Sequence, residues 1–397
     1  MPEIDRSVDG SMLEQERGSF RQLLLYFLQL GAIGFGGPVA TVGYMQRDLV
    51  ESRHWIDREE FLNGVALGQT MPGPLAAQVC MWVGYLRRGI LGALAVAGAF
   101  IVPSFLLVIV LAVLYVRFQG LPIVQALFYG IAPGVMAIIV IATIRLARLT
   151  NRHDIRLWVI SAVITAVTAL TGAEIALLVI AAGLFILLWD APPKWLRDRL
   201  PSLALIPSLP WKGSLAAVAT GVASLGVLGA LVLFFLEAGT FIFGSGLAIV
   251  PFLREGVVNQ QHWLNERQFL DAVAIGLITP GPVVITAAFI GYLVAGLAGA
   301  IVATLAIFTP IYLGVVIPGR WFVRHRNNLQ LKGFVKGATA AAAGAIAGAT
   351  IVLARQAIID APTALVAGIC LLILWRFKVR EPYVVLACAV VGIALHH

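Results

Sequence analysis

Two short stretches of this chain combine helix-breaking residues with neutral hydrogen-bond donors, and each occurs twice. Gly34-Phe35-Gly36-Gly37-Pro38 is matched by Ile242-Phe243-Gly244-Ser245-Gly246, and Gly68-Gln69-Thr70-Met71-Pro72-Gly73-Pro74 by Gly276-Leu277-Ile278-Thr279-Pro280-Gly281-Pro282. Proline removes a backbone donor and clashes with the preceding turn, and glycine lets the chain leave helical angles. A helix broken there exposes N-terminal amides that carry partial positive charge and favour anions. Gln69, Thr70 and Gln78 add neutral polar groups at the first Pro-Gly-Pro break, and Ser245, Thr279 and Thr286 add them in the second half. Such a set suits an oxyanion better than a metal cation, which calls for cages of oxygen or sulfur ligands. The expected substrate contacts are therefore Gly36, Gly37, Pro38, Gln69, Thr70, Pro72, Gly73, Pro74 and Gln78, with Gly244, Ser245, Gly246, Thr279, Pro280, Gly281, Pro282 and Thr286. The competing reading is a pair of packing kinks, since Gly and Pro are common in membrane helices. Recurrence of both motifs in register favours a site.

Charged candidates are few. Glu60 and Asp271 lie shortly before the Pro-Gly-Pro breaks, and Asp271, about two helical turns before Thr279, is a candidate proton carrier. An interfacial carboxylate in water is the alternative. Arg47 and Arg254 correspond between the halves to within one residue and are candidates to guide anions, or else solvated loop charges. Cys80, Cys370 and Cys388 sit in apolar runs at unrelated spacings, the six histidines form no ligand cluster, and no GxxxxGK[ST] phosphate loop occurs. No metal, cofactor or enzymatic constellation is expected.

The elements that carry these residues must be membrane helices. Of 397 residues 60% are hydrophobic and 12% charged, against about 25% charged in soluble domains; mean hydropathy is +0.94. Runs such as Gly92–Val116, Ile123–Ile144, Leu215–Leu236 and Leu297–Ile317 approach or exceed the ~18–20 residues that cross a bilayer. They are continuous, so they read as helices and not as alternating barrel strands. The expected fold is an all-α polytopic membrane helical bundle whose first partner is the lipid bilayer. The net charge of +8 resides in short loops, where Lys and Arg mark the cytoplasmic side, so nucleic acid is not an expected partner.

The chain is also a duplication. Phe27–Pro74 aligns without a gap to Phe235–Pro282, pairing His54-Trp55 with His262-Trp263 and Phe61-Leu62 with Phe269-Leu270. After one deletion Gly84-Tyr85 pairs with Gly291-Tyr292, Gly92 with Gly299, Pro103 with Pro310 and Arg148 with Arg355. Charge bias is opposite in the two copies. The first has Arg87-Arg88, Arg145, Arg148, Arg152 and Arg156 where the second is nearly bare; the second has Arg320, Arg324, Arg326, Lys332, Lys336, Arg376, Lys378 and Arg380 where the first has little beyond Arg117. If these charges stay cytoplasmic the copies are inverted, and Gly213–Leu233 supplies the extra crossing. The expectation is about thirteen spans, roughly six per copy plus a linker, with broken helices at the Pro-Gly-Pro motifs. It divides the chain into a cytoplasmic N-terminal segment (1–19, without a signal peptide), a first membrane repeat (20–189), a cytoplasmic loop with linker helix (190–234) and an inverted second repeat (235–397). The N-terminus would be cytoplasmic and the C-terminus periplasmic, in a bacterial inner membrane. Inverted repeats are common in secondary transporters, whose sites lie near the midplane where discontinuous helices meet. A homodimer is compatible with this architecture; Gly-x-x-x-Gly spacings are too common among 40 glycines to decide it.

Phe35–Pro38, His54-Trp55 followed by Glu60-Phe61, and the Gly-Gln-Thr-x-Pro-Gly-Pro of Gly68–Pro74 resemble the chromate ion transporter family. Its long members carry two homologous domains, so the resemblance covers nearly the whole chain. It implies a secondary transporter that exports chromate, a sulfate-like tetrahedral dianion, and confers chromate resistance. The family's motif positions fall on Gly36, Gly37, Pro38, Gln69, Pro72, Gly73 and Pro74, with Pro280, Gly281 and Pro282 in the second half. The second copy departs from the pattern with Gly244-Ser245-Gly246 and with Leu277 in place of Gln69. A sulfate or other oxyanion transporter or channel on the same scaffold is the alternative.

Overall fold

The computed structural model describes residues 18–34, 37–71, 73–171, 176–192, 226–240, 242, 249–319, 321, 328–377, 379 and 381–395. Gly36, Pro72, Gly244, Ser245, Gly246, residues 1–17, residues 193–225 (which include much of the linker span) and Arg320, Arg324 and Arg326 lie outside them. Among the described residues there are helices and turns and no strand.

The first copy contains α1 (Phe20–Ile33), α2 (Gly37–Met45), which continues as a π-helical segment Gln46–Ser52, α3 (Arg58–Thr70), α4 (Leu75–Phe118), α5 (Pro122–Asn151), α6 (Ile155–Thr171) and α7 (Ala176–Asp190). The second repeats it: α8 (Gly226–Thr240), α9 (Val250–Arg254) with π-helical Glu255–Gln260, α10 (Glu266–Ile278), a 3-10 turn Val283–Ile285 leading into α11 (Thr286–Val316), α12 (Leu329–Ala357), α13 (Ala361–Arg376) and α14 (Glu381–Leu395). The repetition extends to backbone detail. His54 and His262 both take positive φ (52° and 51°), and both long helices fold back at one point, Arg88-Gly89 in α4 and Ala295-Gly296 in α11. Gly89 and Gly296 adopt φ/ψ of 59°/−145° and 60°/−151°, a region essentially restricted to glycine. Helix starts are set locally: Asp57 accepts from the Glu59 amide at 2.7 Å, and Asn265 forms a capping box with Gln268.

Among the described residues four helices are long and apolar enough to cross a membrane: Leu75–Phe118, Pro122–Asn151, Val283–Val316 and Lys332–Ala357. The others are shorter, and α1 and α3, with 14 and 13 residues, reach only about 20 Å at 1.5 Å per residue. The start of α1, the turn before α3 and the fold-back of α4 share one end of the bundle, because Arg87 donates to the carbonyls of both Gly18 and Trp55. The end of α11 is there too. Tyr312 donates to the Ile90 carbonyl at 2.9 Å, and a Cβ on Gly319 would lie 3.0 Å from Trp82. The α11 fold-back at Ala295-Gly296 is therefore about 25 Å away along its own helix.

The core mixes the copies. α4 packs on α11 and α5 on α12. The last two helices of each copy leave their own long helix for the other's: α6 and α7 pack on α12, α13 and α14 on α5. Small residues allow close approach there. A Cβ on Gly130 would lie 2.1 Å from the Cys388 carbonyl oxygen, and one on Gly337 2.2 Å from that of Ala182. Ser161 and Thr165 add hydrogen bonds to the Ala340 and Gly344 carbonyls at 2.8 and 3.0 Å. Large apolar side chains point outward along α4, among them Leu94, Leu106 and Val110, each more than half exposed. Such a belt is a lipid-facing surface, and the chain is a multi-pass membrane protein.

Candidate functional site

The helix breaks of the two copies meet. α1 ends at Gly34, whose amide bonds the Leu30 carbonyl, and α3 ends at Met71 in the same way on Leu67. The Gly73 amide donates to the Ile242 carbonyl of the other copy at 2.5 Å, and the Gly281 amide donates to the Gly34 carbonyl at 3.4 Å. Gly73 and Gly281 are equivalent in the repeat, as are Gly34 and Ile242, so the exchange is reciprocal in the manner of a two-fold contact. Gly73 (φ 140°) and Gly281 (φ 96°) hold conformations that side chains disfavour, and neither has room for one. A Cβ would lie 2.7 Å from Gln78 Nε2 at Gly73, and 2.1 Å from Ser104 Oγ at Gly281.

Gln78 and Thr286 occupy equivalent positions one turn into the helices that follow the breaks, and both are buried. Gln78 Nε2 donates to the Met71 carbonyl at 3.4 Å, bridging its own break. Thr286 donates to the Val283 carbonyl at 2.8 Å. Thr70 and Thr279 donate to Ala66 and Ile275, each four residues back. A hydroxyl has one proton to give, so these three threonines are committed to backbone carbonyls. Donors for an anion are then the amides at the start of α4 and those of Val283 and Val284, beside Pro74 and Pro282, where the helix dipoles begin; the Ile285 amide already donates to the Pro282 carbonyl at 2.9 Å.

The remaining sequence candidates divide between the breaks and the outside of the bundle. Of Gly37 and Pro38 the structure describes the backbone that opens α2. Gln69 is on an exposed face of α3, and Pro280 is buried at the second break. Arg47 is exposed and paired with Asp48 at 2.7 Å. Arg254 is buried and its guanidinium is held by Glu266. Glu60 is exposed in the first turn of α3, where its carbonyl accepts from Trp82 Nε1 at 2.9 Å. Asp271 is buried, 4% exposed, and accepts from the Tyr115 hydroxyl at 2.8 Å.

Two residues that matter here were not singled out from the sequence. Ser104 is fully buried, donates to the Gly31 carbonyl at 3.2 Å and faces Gly281. Its equivalent Ile311 faces Gly73. The signal was available: a polar residue directly after Pro103 where the repeat has isoleucine after Pro310. Tyr115 carried no comparable signal, because its partner is 156 residues away. The described side chains at the breaks are neutral apart from Glu237 in the last turn of α8, so the site can hold an anion by dipoles and amides without a fixed positive counter-charge.

The chain matches the family described as "Chromate transporter" over residues 21–188 and 214–393, one match for each copy. It is 47% identical to the chromate transport protein of Cupriavidus metallidurans, over 99% of this chain and 98% of that one. It is 48% identical to the probable chromate transport protein of Synechococcus elongatus, over 94% and 95% of the two chains. The chromate transport protein of Pseudomonas aeruginosa is 31% identical over 94% of this chain and 92% of its own. No solved structure matches. Broken helices joined two by two, neutral side chains at the join and a match that runs through both copies lead to one assignment: the chain belongs to the chromate transporter family.

Proposed function

We propose that the protein is a secondary transporter that exports chromate from the bacterial cytoplasm and so confers chromate resistance, with the oxyanion bound where the four helix breaks meet. The reciprocal hydrogen bonds Gly73–Ile242 and Gly281–Gly34 carry this reading. They pair each break of one copy with a break of the other, and helix N-termini begin beside both pairs, the arrangement with which discontinuous helices hold anions at a transporter midplane. High identity to proteins named for chromate transport supports the substrate.

In this reading the copies, 20–189 and 235–397, are inverted across the inner membrane, with the N-terminus cytoplasmic and the C-terminus periplasmic. The pairs α1/α2 and α3/first arm of α4 are re-entrant hairpins that turn near the midplane, which lowers the count of crossings below the thirteen expected from hydropathy. The Tyr312–Ile90 contact supports inversion, since it puts the fold-backs of α4 and α11 at opposite ends of the bundle. Export of a dianion needs no ATP. A negative-inside potential supplies about 2.3 kcal/mol per charge per 100 mV, or about 4.6 kcal/mol for two charges at that voltage.

The test is uptake of chromate and of sulfate by everted vesicles. Chromate accumulation above an empty-vector control is the expected result. Sulfate movement without chromate movement would reassign the substrate and leave the site intact.

A further inference from the structure

Away from the helix breaks, a cavity of about 160 Å³ opens where the end of α4, the start of α5 and the first turns of α10 converge. Tyr115, Gln119, Gln125, Arg267, Gln268 and Asp271 supply its polar wall. Arg267 and Asp271 are one turn apart on α10 and share a face. Asp271 forms the buried floor, hydrogen-bonded to Tyr115, and Arg267 makes no ion pair among the described residues. The first copy has no equivalent of this charge pair: Glu59 stands at the position of Arg267 and Asn63 at that of Asp271. The cavity thus lies between the copies, walled by α4 and α5 of the first and α10 of the second, and its charge pair belongs to the second copy alone.

We propose that this cleft is a second binding site for a tetrahedral oxyanion, with Arg267 as its counter-charge and with the anion admitted when Asp271 carries a proton. The inference rests on the oxyanion transport proposed above. With Asp271 ionised, the two charges of the cleft cancel and the carboxylate repels the anion. Protonation leaves Arg267 alone and turns the carboxyl into a donor. Oxyanion and proton then enter the cleft together, and each strengthens the binding of the other.

The groups that reach Asp271 are Tyr115 from α4 and Arg267 from its own helix; α5 presents Val124, Gln125 and Phe128, which do not titrate. Elsewhere around α10, Arg254 is held by Glu266 and Glu255 by Asn259 and Gln260. Tyr312 of α11 is bonded to Ile90, Cys388 lies against Gly134, and Glu381 and Tyr383 of α14 are outside the cleft.

The experiment is equilibrium binding of radiolabelled sulfate, used as the probe oxyanion, to the purified full-length protein at pH 6 and pH 8. The wild type should bind roughly tenfold more tightly at the lower pH. Asp271→Asn should bind equally at both, at the tighter value, and Arg267→Gln should bind weakly at both. Gln119→Glu, a change at an exposed position, adds a fixed negative charge to the cleft and should weaken binding at both pH values even if Arg267→Gln proves unstable. Wild-type binding that neither Arg267→Gln nor Gln119→Glu alters, or that does not depend on pH, overturns the cleft and leaves the transport reading standing. A wild type that binds neither sulfate nor chromate at either pH overturns both.

Discussion

Thr143 and Thr350 face each other with their hydroxyls 3.5 Å apart, although 207 residues separate them in the chain. They are the same position in the two copies. A residue can touch its own symmetry mate only on the axis that relates them, so in the proposed two-fold arrangement of the copies the axis would pass between α5 and α12. Each hydroxyl also donates to the carbonyl four residues back, Ile139 at 2.7 Å and Ile346 at 2.6 Å. The pair therefore marks the axis without being its main adhesive. Thr143→Cys with Thr350→Cys should cross-link on mild oxidation, whereas either single change should not. A double variant that stays uncrosslinked while folded would show that the copies do not meet there.

The fold-back of α4 brings Gly84 and Gly92 into backbone contact. A Cβ on Gly92 would lie 2.2 Å from the Gly84 carbonyl oxygen, and Gly299 meets Gly291 at 2.1 Å. Gly92→Ala and Gly299→Ala should each cost about 1–3 kcal/mol, the usual range for overpacking. Gly98→Ala has open space around it and should be neutral or slightly stabilising, by up to ~1 kcal/mol, through helix propensity. Thermal unfolding of the three variants in one detergent separates the cases.

Ser104→Ile copies into the first half what Ile311 already is in the second. The serine hydroxyl occupies the space against Gly281, so the larger side chain must push that break away from Gly34. Chromate flux should fall by about tenfold or more, with monodisperse protein retained. Unchanged flux would mean that the spacing of the breaks does not matter to transport.

Ile90 and Leu297 are equivalent residues just past the two fold-backs, and both are exposed. If the copies are inverted, Ile90→Cys should react with a membrane-impermeant maleimide from the cytoplasmic side only and Leu297→Cys from the periplasmic side only. Labelling of both from one side would refute inversion.

In the first turn of α6, Arg156 bonds Asp154 of the preceding turn at 2.7 Å and reaches Asp190 at the end of α7 at 2.8 Å. The Arg156 hydrogen bond holds the Asp154 carboxyl below its ordinary value of 3.8. A lowered folded-state value means that the stabilisation is complete above the ordinary carboxylate range and disappears as pH falls through the folded value. The melting-temperature gap between wild type and Asp154→Asn should accordingly hold at neutral pH and close below about pH 4.

The all-helical membrane class followed from long apolar runs, because lipid offers no partner for an open backbone and continuous runs exclude a barrel. The duplication followed from rare residues in register, His54-Trp55 with His262-Trp263 and the two Pro-Gly-Pro motifs, and the family resemblance drew on the same residues. The helix breaks were legible for the same reason: glycine and proline act on their own backbone. The number of crossings was harder to read, because a run that turns back at Gly34 or Met71 has the composition of one that crosses. Side-chain roles were also less legible. Thr70, Thr279 and Thr286 read as free donors, but each gives its proton to a nearby carbonyl.

What the amino-acid sequence determined by itself is local or periodic: where helices break, which residue types surround the breaks, and that everything is present twice. The tertiary structure alone decided which copy each part belongs to in space. The last two helices of each copy pack on the other's long helix, each break bonds the opposite break, and Asp271 finds Tyr115 across half the chain. Contacts of that kind depend on the axis between α5 and α12. No residue encodes an axis; it arises only when two similar surfaces, each unable to bury its small-residue face alone, close on each other.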